Sequence, residues 1–171
     1  MVIRIYTDGS YCDEDGMAHG GIVMMGNGDE ILGRLHIIST IPSLSSMRNV
    51  GGEIIAAWAA IKSIDISAQN GKYRDEPVDV IIYHDYEGVS KWVEGYWRAK
   101  KTATAWYAQS VKRILQSGRI HSLKFSWVRG HGDNFGNKEA DAVANYEMRN
   151  FGVLGVQVLN LDKLIMEDGL R

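Results

Sequence analysis

The sequence predicts an α/β domain in which a mixed sheet of five strands is flanked by helices. Three strand-like segments come first, and helices and strands then alternate along the chain. Short turns join the first three strands, so these should pair antiparallel, whereas later strands separated by helices can pair in parallel. A length of 171 residues with 45% hydrophobic residues is typical of one globular domain.

The first strands are predicted from β-branched, aromatic and turn-forming residues. Residues 2–7 are rich in strand formers, and Asp8-Gly9-Ser10 then supplies turn residues, which predicts a strand end near Asp8. Residues 18–25 and 30–38 flank a glycine-rich turn at residues 26–29. This arrangement predicts a β-hairpin.

Apolar spacing predicts the first long helix over residues 53–64, with Glu53 in its first turn. A strand at residues 78–83 follows a proline, and a helix is expected from Tyr86 to Trp92. Asp85 is therefore predicted to lie just past a strand end.

The remaining pattern predicts a helix over residues 103–116, a strand over 122–128 and a helix that Asn137 caps and that continues to Met148. Asp141 would lie early in this last helix. The tail is ambiguous, with a strand at 153–159 and a short helix as the candidates. We therefore predict a domain of residues 1–150 and a C-terminal extension of residues 151–171.

Charge is segregated along the chain. The net charge of −2 argues mildly against a nucleic-acid partner. The stretch from Gly95 to Gly132 nevertheless contains no acidic residue. Its eight cations are Arg98, Lys100, Lys101, Lys112, Arg113, Arg119, Lys124 and Arg129.

A cytoplasmic location is expected, because the amino terminus has no apolar stretch that resembles a signal peptide and the lone Cys12 cannot form an internal disulfide. No apolar run approaches the roughly 20 residues that a membrane span requires. No membrane role is implied.

Four acidic residues stand out, because strand ends and early helical turns are where α/β sheets collect ligands. They are Asp8, Glu53, Asp85 and Asp141. Each alone is better explained as a turn former, a loop residue or a favourable charge at a helix amino terminus.

The segments around these acids, taken in order, change that interpretation. They are Tyr6-Thr7-Asp8-Gly9-Ser10, Gly52-Glu53-Ile54-Ile55-Ala56-Ala57, Tyr83-His84-Asp85, Trp127-Val128-Arg129-Gly130-His131 and Gly136-Asn137-Lys138-Glu139-Ala140-Asp141. Together they resemble the type 1 ribonuclease H family over about residues 2–149. The resemblance implies the ribonuclease H-like fold for residues 1–150. It also implies an endoribonuclease that cuts the RNA strand of RNA–DNA hybrids and leaves 5′-phosphate and 3′-hydroxyl ends.

The resemblance further implies that the four carboxylates are metal ligands and, together with His131, the catalytic residues. Hard Mg²⁺ ions prefer oxygen ligands, and two ions held roughly 4 Å apart can serve one phosphodiester. Clustered carboxylates without cations would repel one another, so the site itself implies metal. We expect two Mg²⁺ ions per site, with Mn²⁺ as a substitute, and His131 as a proton shuttle.

Contacts to the hybrid are expected from Trp97 with the neighbouring cations Arg98, Lys100 and Lys101. Trp92 and Trp106 lie on amphipathic segments and are predicted to be core residues. Near the carboxylates, the candidate substrate-binding residues are Gly9, Ser10, Asn49 and Asn137. No protein partner is implied, and a monomer is expected.

The sequence departs from the commonest family pattern without losing a carboxylate. Tyr86 follows Asp85 where serine is frequent, Val50-Gly51-Gly52 precedes Glu53 where asparagine and arginine are common, and Lys138 replaces a frequent glutamate. The second departure leaves Asn49 as the nearby amide.

Two alternatives stay open. One is a nuclease or recombinase of the same fold, such as a junction resolvase, which assays on hybrid, duplex DNA and duplex RNA would distinguish. The other is a non-catalytic hybrid-binding module, which a Mg²⁺ titration that looks for cut products would distinguish.

Overall fold

A computed structural model describes residues 1–145 and 155–171. The strands in this part are β1 Val2–Cys12, β2 Met17–Met25, β3 Ile31–Ser39, β4 Asp79–His84, β5 Ser122–Trp127 and β6 Val156–Asn160. The helices are α1 Pro42–Ser45, α2 Asn49–Gln69, α3 Gly88–Glu94, α4 Thr102–Gln116, α5 Phe135–Ala144 and α6 Asp162–Glu167. Among these helices, none combines the length and the apolar character that crossing a membrane would require.

The strands form one mixed sheet in the order β5-β4-β1-β2-β3-β6. Strands β1, β2 and β3 pair antiparallel, as predicted, while β4 pairs parallel with β1 and β5 parallel with β4. The prediction of five strands is wrong, because β6 pairs parallel with β3 as a sixth strand. Its register places Val156 opposite Arg34, a partner 122 positions away that no local pattern identifies.

Both faces of the central strands are covered. Ile5 and Ile22 face the main core, in which Trp58 of α2 is fully buried. Their neighbours Tyr6 and Val23 point to the opposite face, because successive side chains of a strand alternate. There they pack with α5, and α2 and α5 therefore reach the functional end of the sheet from opposite sides.

Helix α2 begins earlier than predicted, at Asn49, so Glu53 lies in its second turn. Glycine disfavours helices, so Gly51 and Gly52 lower the helix propensity of this first turn. Close packing explains the glycine: a Cβ at Gly52 would lie 2.1 Å from the His19 carbonyl oxygen, and one at Gly9 would lie 2.1 Å from the Glu53 nitrogen. The backbones of β1 and α2 can thus meet directly at the position of Glu53.

Other boundaries also differ from the prediction. Asp8 lies inside β1 rather than at its tip, because pairing with β2 continues to Cys12. Asn134, not Asn137, caps α5, and its side chain accepts a hydrogen bond from the Asn137 backbone nitrogen. Asp141 therefore lies in the second turn of α5. The predicted continuation to Met148 and the predicted strand start at residue 153 fall outside the described residues.

A buried histidine pair ties the end of α5 to the sheet. His36 Nδ1 lies 2.5 Å from the carbonyl oxygen of Val143, and His36 Nε2 lies 3.0 Å from His19 Nδ1. Burial lowers the pKa of His36, so its ring is neutral and Nδ1 donates to the carbonyl. His19 Nε2 in turn lies 2.9 Å from Asp15. The pair thus satisfies a carbonyl in the last helical turn, where the helix itself supplies no donor.

Residues of the C-terminal segment contribute to the main core. Ile165 of α6 is fully buried. The Asp168 carboxylate accepts hydrogen bonds from Trp106 Nε1 at 3.1 Å, Ser110 Oγ at 2.5 Å and Arg113 at 3.2 Å. Burial of Ile165 in the main core and hydrogen bonds from α4 to Asp168, the residue that follows α6, therefore hold this segment in place.

Candidate active site

The four acidic residues singled out in the sequence converge on one cavity of about 350 Å³. Strand β1 contributes Asp8, helix α2 contributes Glu53 and helix α5 contributes Asp141, while Asp85 is the residue that follows β4. The other lining residues are Gly9, Ser10, Asn49, Val50, Tyr86, His131 and Asn145. Elements far apart in sequence thus meet at one end of the sheet.

Three of the acids form the tightest group. Asp8, Glu53 and Asp85 each present a carboxylate oxygen within 4.8 Å of the others. Asp141 lies beside this group and makes a side-chain contact with Asp8. Among the described residues, the buried Oε2 of Glu53 has no hydrogen-bond partner. An all-oxygen donor set with an unpartnered buried acceptor fits a hard divalent cation.

Burial and neighbouring negative charge raise the pKa of two of these carboxyl groups, Asp8 and Glu53. The pKa of Asp8 rises to about 8, first because the group is buried and second because of the negative charge of Asp85. The pKa of Glu53 is also raised well above its ordinary value, by burial and then by the charge of Asp8. The group therefore holds protons near neutral pH unless a cation replaces them.

The predicted histidine loop runs alongside this group. His131 is exposed, lines the cavity and has a left-handed backbone with φ of 54°. A Cβ at Gly130 would lie 3.3 Å from Asp85 Oδ2, so the loop passes directly beside that carboxylate. Trp127, which was not predicted as a site residue, donates from Nε1 to the Asp85 carbonyl oxygen at 3.0 Å. The indole thereby holds the backbone that carries Asp85.

The candidate substrate-binding residues near the carboxylates lie in different environments. The Gly9 backbone nitrogen donates to Asp8 Oδ1 at 2.9 Å, whereas Asn49 is exposed at the rim. Asn137 is only 3% exposed, and its Oδ1 has no hydrogen-bond partner in the described part of the chain. Asn137 lines a smaller cavity of about 250 Å³ that it shares with His131.

Sequence reasoning missed Asn145, which directly follows α5. Its Nδ2 donates to Asp141 Oδ1 at 2.8 Å and to the Asp141 carbonyl oxygen at 2.9 Å. Its Oδ1 accepts a hydrogen bond from Ser10 Oγ at 2.8 Å. The available signal was the spacing of four residues from Asp141, which places two side chains on one helical face.

A basic groove of about 370 Å³ adjoins the carboxylate cavity, since Val50 and Tyr86 line both. Arg98, Lys100 and Lys101 line this groove, and none of the three makes an ion pair within the described residues. These three cations are thus close to the carboxylate site in space, although they lie away from the four acids in sequence.

The four aromatic rings of this region have unequal exposure. Trp97 is partly buried, with its ring centroid 5.7 Å from that of Trp92 and 6.3 Å from that of Tyr86. Trp92 is partly buried against the main core, and Trp106 is buried. Trp97 therefore supports the groove while keeping part of its surface accessible.

The acid-free stretch is less unbalanced in the fold than in the sequence. Arg119 binds the buried Asp65 with a nitrogen–oxygen distance of 2.7 Å, and Arg113 binds Asp168 at 3.2 Å. Acids from other parts of the chain therefore compensate two of the eight cations.

Comparison with known proteins agrees with this geometry. The family model described as RNase H matches residues 2–149. A ribonuclease H of Bartonella tribocorum is 27% identical over 151 residues, covering 84% of this chain and 86% of the relative. One of Polaromonas naphthalenivorans is 29% identical over 155 residues, with 84% of each chain covered.

Solved structures show the same fold. RNase H1 of Halobacterium salinarum has a TM-score of 0.63 at 20% identity and covers 85% of this chain and 96% of its own. LC11-RNase H1, isolated from compost and solved in complex with an RNA/DNA hybrid, has a TM-score of 0.63 at 22% identity, with coverage of 84% and 94%.

Proposed function

Because the chain belongs to the ribonuclease H family, we propose that it is an endoribonuclease that hydrolyses the RNA strand of RNA–DNA hybrids and leaves 5′-phosphate and 3′-hydroxyl ends. The observation that carries this proposal is the convergence of four carboxylates on one cavity beside a basic groove. A similar fold has been solved with a hybrid bound, which supports the choice of substrate. A monomer in the cytoplasm stays a prediction from the sequence.

We propose that the carboxylates of four residues are the metal ligands and would hold two Mg²⁺ ions or, as a substitute, Mn²⁺. These residues are Asp8, Glu53, Asp85 and Asp141. When bound, such ions acidify water and neutralise charge on the leaving 3′-oxygen. The protein's own part is to hold Asp8, Glu53 and Asp85 close together, where a bound cation would replace the protons that burial favours. Burial of Asp8 and Glu53 makes each site oxygen a stronger partner for a cation than it would be in water.

We assign to His131 the role of carrying protons between the cavity and solvent. Its imidazole is exposed and lies on the loop that passes beside Asp85. An imidazole ring nitrogen can accept a proton and donate it again in general acid–base catalysis. Proton transfer to the departing 3′-oxygen is the step that this position favours.

The hybrid would be held by the basic groove and the residues around the carboxylates. Arg98, Lys100 and Lys101 supply positive charge for backbone phosphates, and the accessible part of Trp97 can pack against a sugar. The remaining candidates for substrate binding are Gly9, Ser10, Asn49 and Asn137. A 2′-hydroxyl is the feature that lets such residues select RNA over DNA.

The deciding experiment is cleavage of end-labelled RNA–DNA hybrid, duplex DNA and duplex RNA with Mg²⁺ or Mn²⁺, followed by analysis of the product ends. We expect cleavage of the hybrid alone, within its RNA strand. The variants Asp8→Asn, Glu53→Gln, Asp85→Asn and Asp141→Asn should each lower the rate by orders of magnitude, since an amide keeps the shape but binds a cation poorly.

Asp75→Asn is the matched control, because it makes the same chemical change on an exposed turn. It should cleave at the wild-type rate. Efficient cutting of duplex DNA would favour a resolvase-like nuclease, and absence of any metal-dependent cutting would favour a non-catalytic hybrid-binding module. Near-normal turnover in two of the four amide variants would contradict the assignment of the site.

A further inference from the structure

Asn145 joins two sides of the active site through its side-chain amide. On one side Nδ2 donates to Asp141 Oδ1 at 2.8 Å, and on the other Oδ1 accepts from Ser10 Oγ at 2.8 Å. Ser10 belongs to β1 and Asp141 to α5, and all three residues line the carboxylate cavity. The amide therefore bridges a strand and a helix that are 131 positions apart where they meet at the site.

The chemistry of the partners fixes the orientation of this amide. Both hydrogen bonds to Asp141, through Oδ1 and through the carbonyl oxygen at 2.9 Å, are to atoms that only accept. Nitrogen must therefore face Asp141 and oxygen must face Ser10, whose hydroxyl donates. The reverse orientation would set acceptor against acceptor at Asp141.

The link also connects Asp141 to Asp8. Ser10 and Asp8 lie two positions apart on β1, so their side chains point to the same face of the sheet. That face is the one that α5 covers. A hydrogen bond from Ser10 to Asn145 therefore holds the Asp141 carboxylate at a set distance and rotation relative to the strand that carries Asp8.

We propose that Asn145 is a positioning residue that orients the Asp141 carboxylate for divalent metal binding, with Ser10 as its anchor on β1. This inference rests on the proposed metal-dependent cleavage. Carboxylates that bind metals are themselves held by hydrogen bonds, and loss of such an outer partner lowers metal affinity or activity by about 10- to 100-fold.

A capping role alone does not account for these hydrogen bonds. The Asn145 backbone nitrogen already donates to the Asp141 carbonyl oxygen at 3.0 Å, which satisfies that carbonyl without the side chain. The additional bond from Nδ2 to the carboxylate is directed at the cavity. Asn70 provides a matched comparison, since it is the exposed residue that directly follows α2 and it does not line the cavity.

The test measures binding of Mg²⁺ and Mn²⁺ by titration calorimetry, without substrate, to the wild type, Asn145→Ala, Ser10→Ala and Asn70→Ala. We expect Asn145→Ala to bind about 10- to 100-fold more weakly. Ser10→Ala should lose less in the same direction, and Asn70→Ala should match the wild type. The urea midpoints for unfolding without metal, measured in EDTA, should fall by similar small amounts in Asn145→Ala and Asn70→Ala.

Wild-type affinity in Asn145→Ala would overturn the inference, and so would an equal loss of affinity in Asn70→Ala, which would indicate a general effect of capping. If Asn145→Ala does not fold, Ser10→Ala decides, because it leaves the end of α5 unchanged. Absence of metal binding in the wild type would instead overturn the proposed function, and the inference with it.

Discussion

Without metal, Asp8→Asn should be more stable than the wild type, and the difference in the free energy of unfolding should grow as pH rises. The pKa of Asp8 increases from 3.8 to about 8 in the folded protein, owing to burial and the charge of Asp85. A carboxyl whose folded pKa is raised binds its proton more tightly in the folded than in the unfolded state. The wild type therefore loses stability as pH increases through this interval, whereas the neutral amide of Asp8→Asn does not titrate.

The expected size follows from the pKa change. Each pH unit between the two pKa values alters the stability difference by about 1.4 kcal/mol. Between about pH 4 and about pH 7 the advantage of Asp8→Asn over the wild type should thus grow by about 4 kcal/mol. Above about pH 8 the difference should level off, because Asp8 is then ionised in both states.

Urea unfolding in EDTA, repeated across this pH range, measures the effect as a change of midpoint at constant m-value. Asp75→Asn, at an exposed position, should give a difference from the wild type that does not vary with pH. Addition of Mg²⁺ should restore the wild type by about 2.7 kcal/mol at a concentration 100-fold above Kd, but Asp8→Asn much less. A difference between Asp8→Asn and the wild type that stays flat from pH 4 to pH 8 would refute the reasoning.

Three further outcomes are expected. His131→Ala should slow hybrid cleavage about 10²-fold, as expected for loss of a proton-transfer group, and its Mg²⁺ affinity measured by calorimetry should be unchanged. Weaker Mg²⁺ binding would contradict the proton-transfer role of His131. A triple alanine variant at Arg98, Lys100 and Lys101 should make the slope of log K for hybrid binding against log salt shallower by about 0.9 for each phosphate that it no longer binds. Turnover at saturating hybrid should be nearly preserved, and an unchanged slope would show that other residues bind the phosphates. Ile165→Ala should lower the free energy of unfolding by about 2–5 kcal/mol in urea titrations, and a decrease well below this would show that α6 is not part of the cooperative core.

Elements with strong local patterns were predicted closely from sequence. The apolar spacing of α4 and the strand residues of β5 gave boundaries within a residue or so of the observed Thr102–Gln116 and Ser122–Trp127. The order of the short motifs around the acids was equally informative, since it indicated four separated carboxylates that the fold brings to one cavity. Each element and each motif is recognisable from a few neighbouring residues, and the order of the motifs is read directly along the chain.

What could not be predicted depends on partners distant in sequence. Asp8-Gly9-Ser10 is typical of a turn, yet cross-strand pairing with β2 keeps these residues in β1. The His19–His36 pair and the link from Ser10 to Asn145 exist only because separate elements pack together. Local propensity contains no information about such pairings, and the spacing of Asn145 from Asp141 does not indicate that Ser10 is its second partner.

The pairing of β6 with β3 has a consequence for the order of folding. Because the paired residues are 122 positions apart, this edge of the sheet closes only after a long loop has been brought together. Until then the outer edge of β3 exposes unpaired backbone groups, which can pair with another chain. We therefore expect β6 and α6 to dock late, so that weakening them speeds unfolding more than it slows folding. The lifetime of the native state, and resistance to aggregation while the protein folds, would then depend on a segment remote from the carboxylates.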